Sequence, residues 1–112
     1  MTQLSSQQCV VCKKDATVIK DSLISQYLLD LPQWQLDHQD DIQCLQRVYK
    51  VSNFARAILL TNKIAELAEE QGHHPAILTE WGKVTVRWWT HTIGGLHIND
   101  FIMAAKTEQL CA

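Results

Sequence analysis

The sequence predicts an α+β domain in which a four-stranded antiparallel sheet carries helices packed on one face, in the order α-β-β-α-β-β-α. Two pairs of short segments alternate apolar and polar residues, as half-buried strands do, and a short turn separates the members of each pair. Apolar residues recur at helical spacing before, between and after these pairs. Because helices alternate with hairpins and not with single strands, an antiparallel sheet is favoured over a parallel one.

The chain divides near position 20 into a polar arm and one folded domain. Residues 1–20 are polar and aperiodic, contain the motif Cys9-x-x-Cys12 and are predicted to be partly ordered. Residues 21–112 form the domain, whose size suffices for a hydrophobic core without disulfides. A single C-x-x-C motif without a second ligand pair is only a weak indication of structural zinc or redox chemistry.

The first helix and the first hairpin are predicted within residues 21–51. Asp21 or Ser22 can cap the helix, and Pro32 stops the helical spacing of its apolar residues. The polar residues His38–Asp41 are predicted to form the hairpin turn. Apolar residues alternate with polar ones on both sides of this turn, at Trp34, Leu36, Leu45, Tyr49 and Val51.

The clearest predicted element is a long second helix. Ser52 or Asn53 can cap it, Gly72 can end it in the left-handed conformation, and Pro75 prevents its continuation. Its apolar residues recur at helical spacing, at Phe54, Ala57, Ile58, Ile64, Ala65 and Ala68.

A second hairpin and a third helix complete the predicted domain. Strands Ile77–Trp81 and Lys83–Thr90 are predicted around a turn at Gly82, and Gly94–Gly95 forms the turn before a helix that begins near Ile98. Alternation divides the longer strand into two faces, with Val84, Val86 and Trp88 on one and Thr85, Arg87, Trp89 and His91 on the other.

Composition and charge exclude several classes of function. Ten Lys and Arg against twelve Asp and Glu give a net charge of -2 with no basic block, which argues against binding to nucleic acid. No apolar run approaches the roughly 18 residues of a membrane helix and no signal peptide is recognisable, so a cytoplasmic protein without membrane association is expected. In that reducing compartment Cys44 and Cys111 are expected to be free thiols.

Four of the five histidines lie between positions 73 and 97, and the hairpin register predicts that two of them meet. If Trp81 and Lys83 pair across a one-residue turn, the continued register places His73 beside His91 at the open end of the hairpin. Glu69 lies one helical turn before His73. Histidines near a carboxylate are candidates for general acid and base catalysis, because imidazole exchanges protons near neutral pH.

Other interpretations apply to some of these side chains. Three histidines and a carboxylate match the ligands of zinc or iron, but the adjacent side chains of His73 and His74 tend to diverge, which disfavours a metal site. His38 and His97 are interpreted as solvated histidines without a role. Trp89 shares a strand face with the third histidine of the cluster and is predicted to line a flat pocket suited to a planar heterocycle.

A set of chemically distinctive residues spans the end of the long helix, the second hairpin and the start of the last helix. In order along the chain, they are Glu69, His73, His74, Pro75, Trp81, His91 and Asp100. With its HHP string and these spacings, the chain resembles the pterin-4a-carbinolamine dehydratase family over about residues 21–110. The segments Leu31–Trp34 and Gly94–Leu96, and Phe54 with Ala57, also resemble the family.

The resemblance implies a fold, an activity and an assembly. The fold is the four-stranded antiparallel sheet with helices on one side, and the activity is dehydration of 4a-hydroxytetrahydropterin to quinonoid dihydropterin and water. This reaction recycles tetrahydrobiopterin after aromatic amino-acid hydroxylation, such as that of phenylalanine. The resemblance implies no metal or organic cofactor, a pterin substrate, an aromatic amino-acid hydroxylase as a partner, and a homodimer or homotetramer. The alternative is a non-catalytic binding and dimerisation module acting on a regulatory protein, a role that animal family members also have.

The resemblance also implies catalytic roles for four residues. His73 and His91 would be the acid and base pair, His74 would bind and orient the pterin, and Glu69 would set the local charge. The implied substrate contacts are Gly72, His73, His74, Trp89, Thr90, His91 and Thr92.

Further positions support this site or depart from the pattern of the family. Pro75 and Asp100 are implied to support the site without moving a proton. Gly72 and Ile77 stand where the family often has Asp or Asn and an aromatic residue, respectively. His97 stands where a hydroxyl residue often caps the last helix.

Overall fold

A computed structural model describes residues 20–39 and 41–111, and its elements follow the predicted order. The helices are α1 (Asp21–Leu28), α2 (Phe54–Gln71) and α3 (Ile98–Leu110), and the strands are β1 (Gln35–Gln39), β2 (Ile42–Lys50), β3 (Ala76–Glu80) and β4 (Lys83–Trp88). The strands form one sheet in the order β1-β2-β4-β3, and every neighbouring pair is antiparallel. The predicted α+β fold is confirmed, and the two hairpins meet at β2 and β4.

Local sequence signals set both ends of α2. The Asn53 side-chain oxygen accepts a hydrogen bond from the backbone N–H of Arg56 at 2.8 Å, which caps the first turn. Gly72 ends the helix with a φ of 65°, in the left-handed region where a residue without Cβ is favoured. Asn53 and Gly72 therefore act as two of the predicted boundary residues.

Two boundaries in the first part of the chain differ from the prediction. Helix α1 ends at Leu28, and the next three N–H groups donate to carbonyls three residues earlier, which is a tighter turn than an α-helix makes. Strand β1 extends to Gln39, which pairs with Ile42, so the predicted turn His38–Asp41 is too long. Asp41 has a φ of 65°, as tight hairpin turns require.

The register of the second hairpin differs by one residue from the prediction. Glu80 pairs with Lys83, so Trp81 and Gly82 form a two-residue turn and Trp81 lies outside β3. Gly82 has a φ of 79°, which fits a type II turn, where the second central residue has a positive φ and is usually glycine. Strand β4 ends at Trp88, two residues earlier than predicted.

The core lies between one face of the sheet and the helices. Both α2 and α3 contact strands of the sheet, and they also contact each other. The predicted alternation along β4 is confirmed, because Val84, Val86 and Trp88 have no exposed surface. Other buried apolar residues of the core are Trp34, Leu45, Tyr49, Ala57, Ile64, Phe101, Ile102 and Met103.

The structure describes two of the four cysteines, and the prediction that no helix spans a membrane can be tested for the described residues. Cys44 and Cys111 are free thiols, as predicted, and burial raises the pKa of the Cys44 thiol. The arm at residues 1–19, with Cys9 and Cys12, lies outside the described residues. Within residues 20–39 and 41–111, no helix is both long and apolar enough to cross a membrane.

The conformation of Gly72 gives a testable prediction about stability. Gly72→Ala is expected to lower the free energy of unfolding by about 1 kcal/mol, because a Cβ disfavours the left-handed region. No described atom lies within 4 Å of an added Cβ, so backbone conformation alone causes the loss. Gly72→Asn is expected to cost less, since Asn tolerates this conformation. Urea unfolding measures both variants, and equal losses would contradict this explanation.

Candidate active site

A buried carboxylate at the start of α3 organises the site. Asp100 has no exposed surface, and its Oδ1 lies 2.6 Å from His73 Nε2. Its Oδ2 accepts hydrogen bonds from the Thr90 hydroxyl and from the backbone N–H of His97, each at 2.9 Å. Three separate parts of the chain thus converge on one carboxyl group.

His73 is held in one orientation by its neighbours. The residue is only 8% exposed, and its ring stacks on the indole of Trp88 with 5.8 Å between ring centroids and 7° between planes. The contact between Nε2 and Asp100 fixes the rotation of the ring within this stack. When the carboxylate accepts this hydrogen bond, Nε2 carries the hydrogen, and the lone pair of a neutral ring is on Nδ1. Nδ1 has no hydrogen-bond partner among the described residues, so it is the nitrogen available for proton transfer.

The observed hairpin register explains which residue meets His73. The prediction placed His73 beside His91, but the register with Glu80 opposite Lys83, continued past the end of β3, places His73 opposite Thr90. Both of these side chains contact the carboxyl group of Asp100. The observed register therefore differs by one position from the register that pairs the two histidines directly.

Glu69 contacts His74 at the exposed end of α2. His74 Nε2 lies 3.2 Å from Glu69 Oε2, and the two side chains are 58% and 79% exposed. An exposed pair of this kind contributes little to stability and leaves both side chains free to reorient. The structure thus places Glu69 beside His74, whereas the sequence suggested proximity to His73.

A second aromatic stack lies just after β4. The rings of Trp89 and His91 are 4.5 Å apart between centroids and 19° from parallel. Trp89 is half-buried, and His91 and Thr92 are exposed, so this stack is open to solvent. Thr90 is different, because it is 2% exposed, its hydroxyl donates to the site carboxylate and its N–H donates to Gly95. The side chain of Thr90 therefore supports the carboxylate of the site.

Sequence reasoning missed one supporting residue. His97 was interpreted as a solvated histidine, but its Nδ1 accepts a hydrogen bond from the N–H of Asn99 at 3.2 Å and caps α3. Asp100, three residues later, accepts from the His97 N–H, which completes a reciprocal capping box. The sequence contains one signal of this capping box, because Asp100 lies three positions after His97, the residue directly before the predicted last helix.

The remaining predicted residues lie at the edge of the site. Gly72 is exposed and Pro75 is half-buried, on either side of the two adjacent histidines. Across residues 20–39 and 41–111, no group of three His, Cys, Asp or Glu side chains is arranged to hold a metal ion. Imidazoles, a carboxylate and stacked aromatic rings are the groups that the site offers to a ligand.

Known proteins share this sequence and this fold. Residues 17–110 match the family model of pterin 4 alpha carbinolamine dehydratase. A protein from Marinobacter nauticus, whose name assigns it to the pterin-4-alpha-carbinolamine dehydratases, is 57% identical over 110 residues, which is 98% of this chain and 99% of the relative. The fold is similar to the crystal structure of a transcriptional coactivator/pterin dehydratase from Brucella melitensis, with a TM-score of 0.76 and 26% identity over 86% of this chain and 100% of that one. The chain belongs to the pterin 4 alpha carbinolamine dehydratase family.

Proposed function

We propose that this protein is a hydro-lyase that converts 4a-hydroxytetrahydropterin to quinonoid dihydropterin and water at the site around His73. The observation that carries the proposal is the position of His73, held between Trp88 and the buried carboxyl group of Asp100. Membership of the family and the name of the relative with 57% identity support the same reaction.

The reaction needs one proton donor and one proton acceptor. The C4a–O bond breaks as the N5 lone pair forms a C4a=N5 double bond, and the leaving hydroxyl takes a proton to become water. N5 then loses its own proton, so the reaction is neutral in protons and electrons. His73, through Nδ1, and His91, at the open edge of the site, are the proposed acid and base, because imidazole serves either role near neutral pH.

The open side of the site would bind the flat pterin. Trp89 and His91 already form a parallel stack, and a planar heterocycle can extend or replace such a contact. His74 is exposed and only weakly paired with Glu69, so it can turn to orient the pterin while the carboxylate adjusts the local charge. Gly72 and Thr92, both exposed, are the proposed edges of the binding surface.

We propose that the protein is cytoplasmic, forms a homodimer or homotetramer, and acts after an aromatic amino-acid hydroxylase in tetrahydrobiopterin recycling. The elimination is redox-neutral, so it needs no redox cofactor, and we propose that the imidazoles carry it out without a metal.

Turnover tests this proposal. Formation of quinonoid dihydropterin from 4a-hydroxytetrahydropterin is followed by stopped-flow absorbance, with the spontaneous reaction as baseline. The protein is expected to accelerate the reaction in proportion to its concentration. A rate equal to the baseline at every protein concentration would contradict the dehydratase function.

A binding module is the second candidate, because the structural neighbour from Brucella melitensis is described as a transcriptional coactivator as well as a pterin dehydratase. Exposed apolar side chains on α2 are compatible with docking, and they include Phe54, Ile58 and Leu59. Stoichiometric capture of a transcriptional regulator without pterin, by a protein that shows no turnover, would favour this candidate over the dehydratase.

A further inference from the structure

A cavity lies apart from the His73 site, where β2, α2 and α3 meet. Its volume is about 530 Å³, within the range of small-molecule sites. It shares no lining residue with the candidate active site. The lining residues are Arg47, Tyr49, Lys50, Val51, Arg56, Leu59, Leu60, Lys63, Glu108 and Cys111.

The cavity concentrates positive charge in a chain that is acidic overall. Four of the ten Lys and Arg residues line it, with one of the twelve acidic residues, although the net charge of the chain is -2. Like charges brought together repel, and the repulsion is relieved when an anion binds among them. This distribution favours an anionic ligand.

The single carboxylate of the cavity is already used by its neighbours. Glu108 Oε1 lies 2.6 Å from Arg47 Nε and accepts hydrogen bonds from the Tyr49 hydroxyl at 2.7 Å and from Trp34 Nε1 at 2.9 Å. The Arg47 guanidinium also lies 4.4 Å from the centre of the Tyr49 ring. This network forms an ordered floor and neutralises one of the four cations.

The other three cations have no such partner. Lys50, Arg56 and Lys63 form no ion pair within the described residues of the chain. They come from the end of β2, the first turn of α2 and the middle of α2, and all three line this one cavity. Val51, Leu59 and Leu60 add an apolar wall beside them, which suits an organic group attached to the anion.

We propose that this cavity binds a phosphate monoester with an apolar or aromatic organic part. The phosphate group, with a charge of about -1.5 to -2 at neutral pH, would be held by Lys50, Arg56 and Lys63. Lys and Arg donate several charge-assisted hydrogen bonds to phosphate oxygens. The organic part would lie against Leu59 and Leu60. The proposal does not depend on the dehydratase function, because the two sites share no residue.

The four tryptophans allow the two sites to be distinguished in one experiment. Trp34 hydrogen-bonds to the floor of the cavity, Trp88 and Trp89 lie at the His73 site, and Trp81 lies in the β3–β4 turn. Phenyl phosphate is titrated into the ¹⁵N-labelled protein, and the indole N–H signals are followed. The Trp34 signal is expected to shift with a saturable Kd of about 1 mM or tighter, while the other three signals stay in place.

Charge-removing variants test whether the named cations hold the phosphate. Arg56→Ala and Lys63→Ala are each expected to weaken phenyl phosphate binding about tenfold, the loss typical of one charge-assisted hydrogen bond. Lys20→Ala is the matched control, since it removes the same charge from an exposed lysine that precedes α1 and does not line the cavity, and it is expected to leave binding unchanged. The dehydration rate of Arg56→Ala and Lys63→Ala is expected to equal that of the unsubstituted protein.

Several outcomes would overturn the proposal. These are the absence of a saturable Trp34 shift, a shift confined to Trp88 and Trp89, or equal weakening by Lys20→Ala, which would indicate nonspecific attraction to positive charge. Phthalate carries the same charge on an aromatic ring, and binding of phthalate as tight as that of phenyl phosphate would overturn the preference for phosphate. None of these outcomes depends on whether the protein dehydrates pterins.

Discussion

His73→Ala is expected to lower kcat/KM for the dehydration at least about 100-fold, which is the usual contribution of a general acid or base. The variant removes the imidazole that contacts Asp100 and stacks on Trp88. Because this change also leaves a buried carboxylate without one of its partners, His73→Gln is measured beside it. Gln can keep the hydrogen bond to Asp100 but cannot exchange a proton near neutral pH.

Controls separate the loss of chemistry from the loss of folding. His38→Ala removes an exposed histidine from β1 and is expected to retain the full rate. Thermal unfolding of the His73 variants shows whether they are folded at the assay temperature. A folded His73→Gln protein that turns over as fast as the unsubstituted protein would contradict the role of His73 in proton transfer.

Asp100→Ala is expected to reduce the free energy of unfolding by about 3 kcal/mol, because buried donors lose their acceptor. The donors are the Thr90 hydroxyl and the N–H of His97, and the contact with His73 is lost as well. Urea unfolding measures the loss. Asp37→Asn is the control, since the Asp37 carboxylate is 40% exposed and lies 3.7 Å from Arg87 in a surface pair whose removal costs at most about 1 kcal/mol.

Asp100→Asn is expected to impair catalysis more than stability. The amide oxygen can still accept from Thr90 and from the His97 N–H, which turns the amide NH₂ toward His73 Nε2. The neutral imidazole must then carry its hydrogen on Nδ1, where the lone pair was available before. We expect kcat to fall about 100-fold, with imidazole ¹⁵N shifts reporting the change of tautomer. An unchanged kcat together with a changed tautomer would contradict proton transfer through Nδ1.

The order of helices and strands could be predicted because its signals are local. Helix α2 shows this best, since Asn53 and Gly72 act at its ends through a side-chain cap and a left-handed conformation. The second hairpin shows the limit. Glycine at position 82 is compatible with one-residue and two-residue turns. A slip by one residue would place Leu78 instead of Ile77 opposite Val86, and because both are apolar, the alternation in β3 does not decide the register. The observed turn, with Trp81 beside the glycine, shifts every later pair by one position.

Most residues of the candidate site could be named from the sequence, but their contacts could not. His73 and Asp100 are 27 residues apart, and their contact depends on the short bridge between Thr90 and Gly95 that brings the start of α3 under β4. Because this bridge joins one residue to one other residue, it produces no periodic pattern in the sequence from which the contact could be predicted. The sequence places His97 directly before the last helix, but the hydrogen bonds by which it caps α3 are seen only in the structure.

The location of pterin binding can be measured directly. A stable 7,8-dihydropterin is titrated into the ¹⁵N-labelled protein while the four indole N–H signals are recorded. We expect saturable shifts of Trp88 and Trp89, which contact His73 and His91, and no shift of Trp34 or Trp81. Shifts confined to Trp34, or no saturable shift at all, would contradict a pterin site at the stacked histidines.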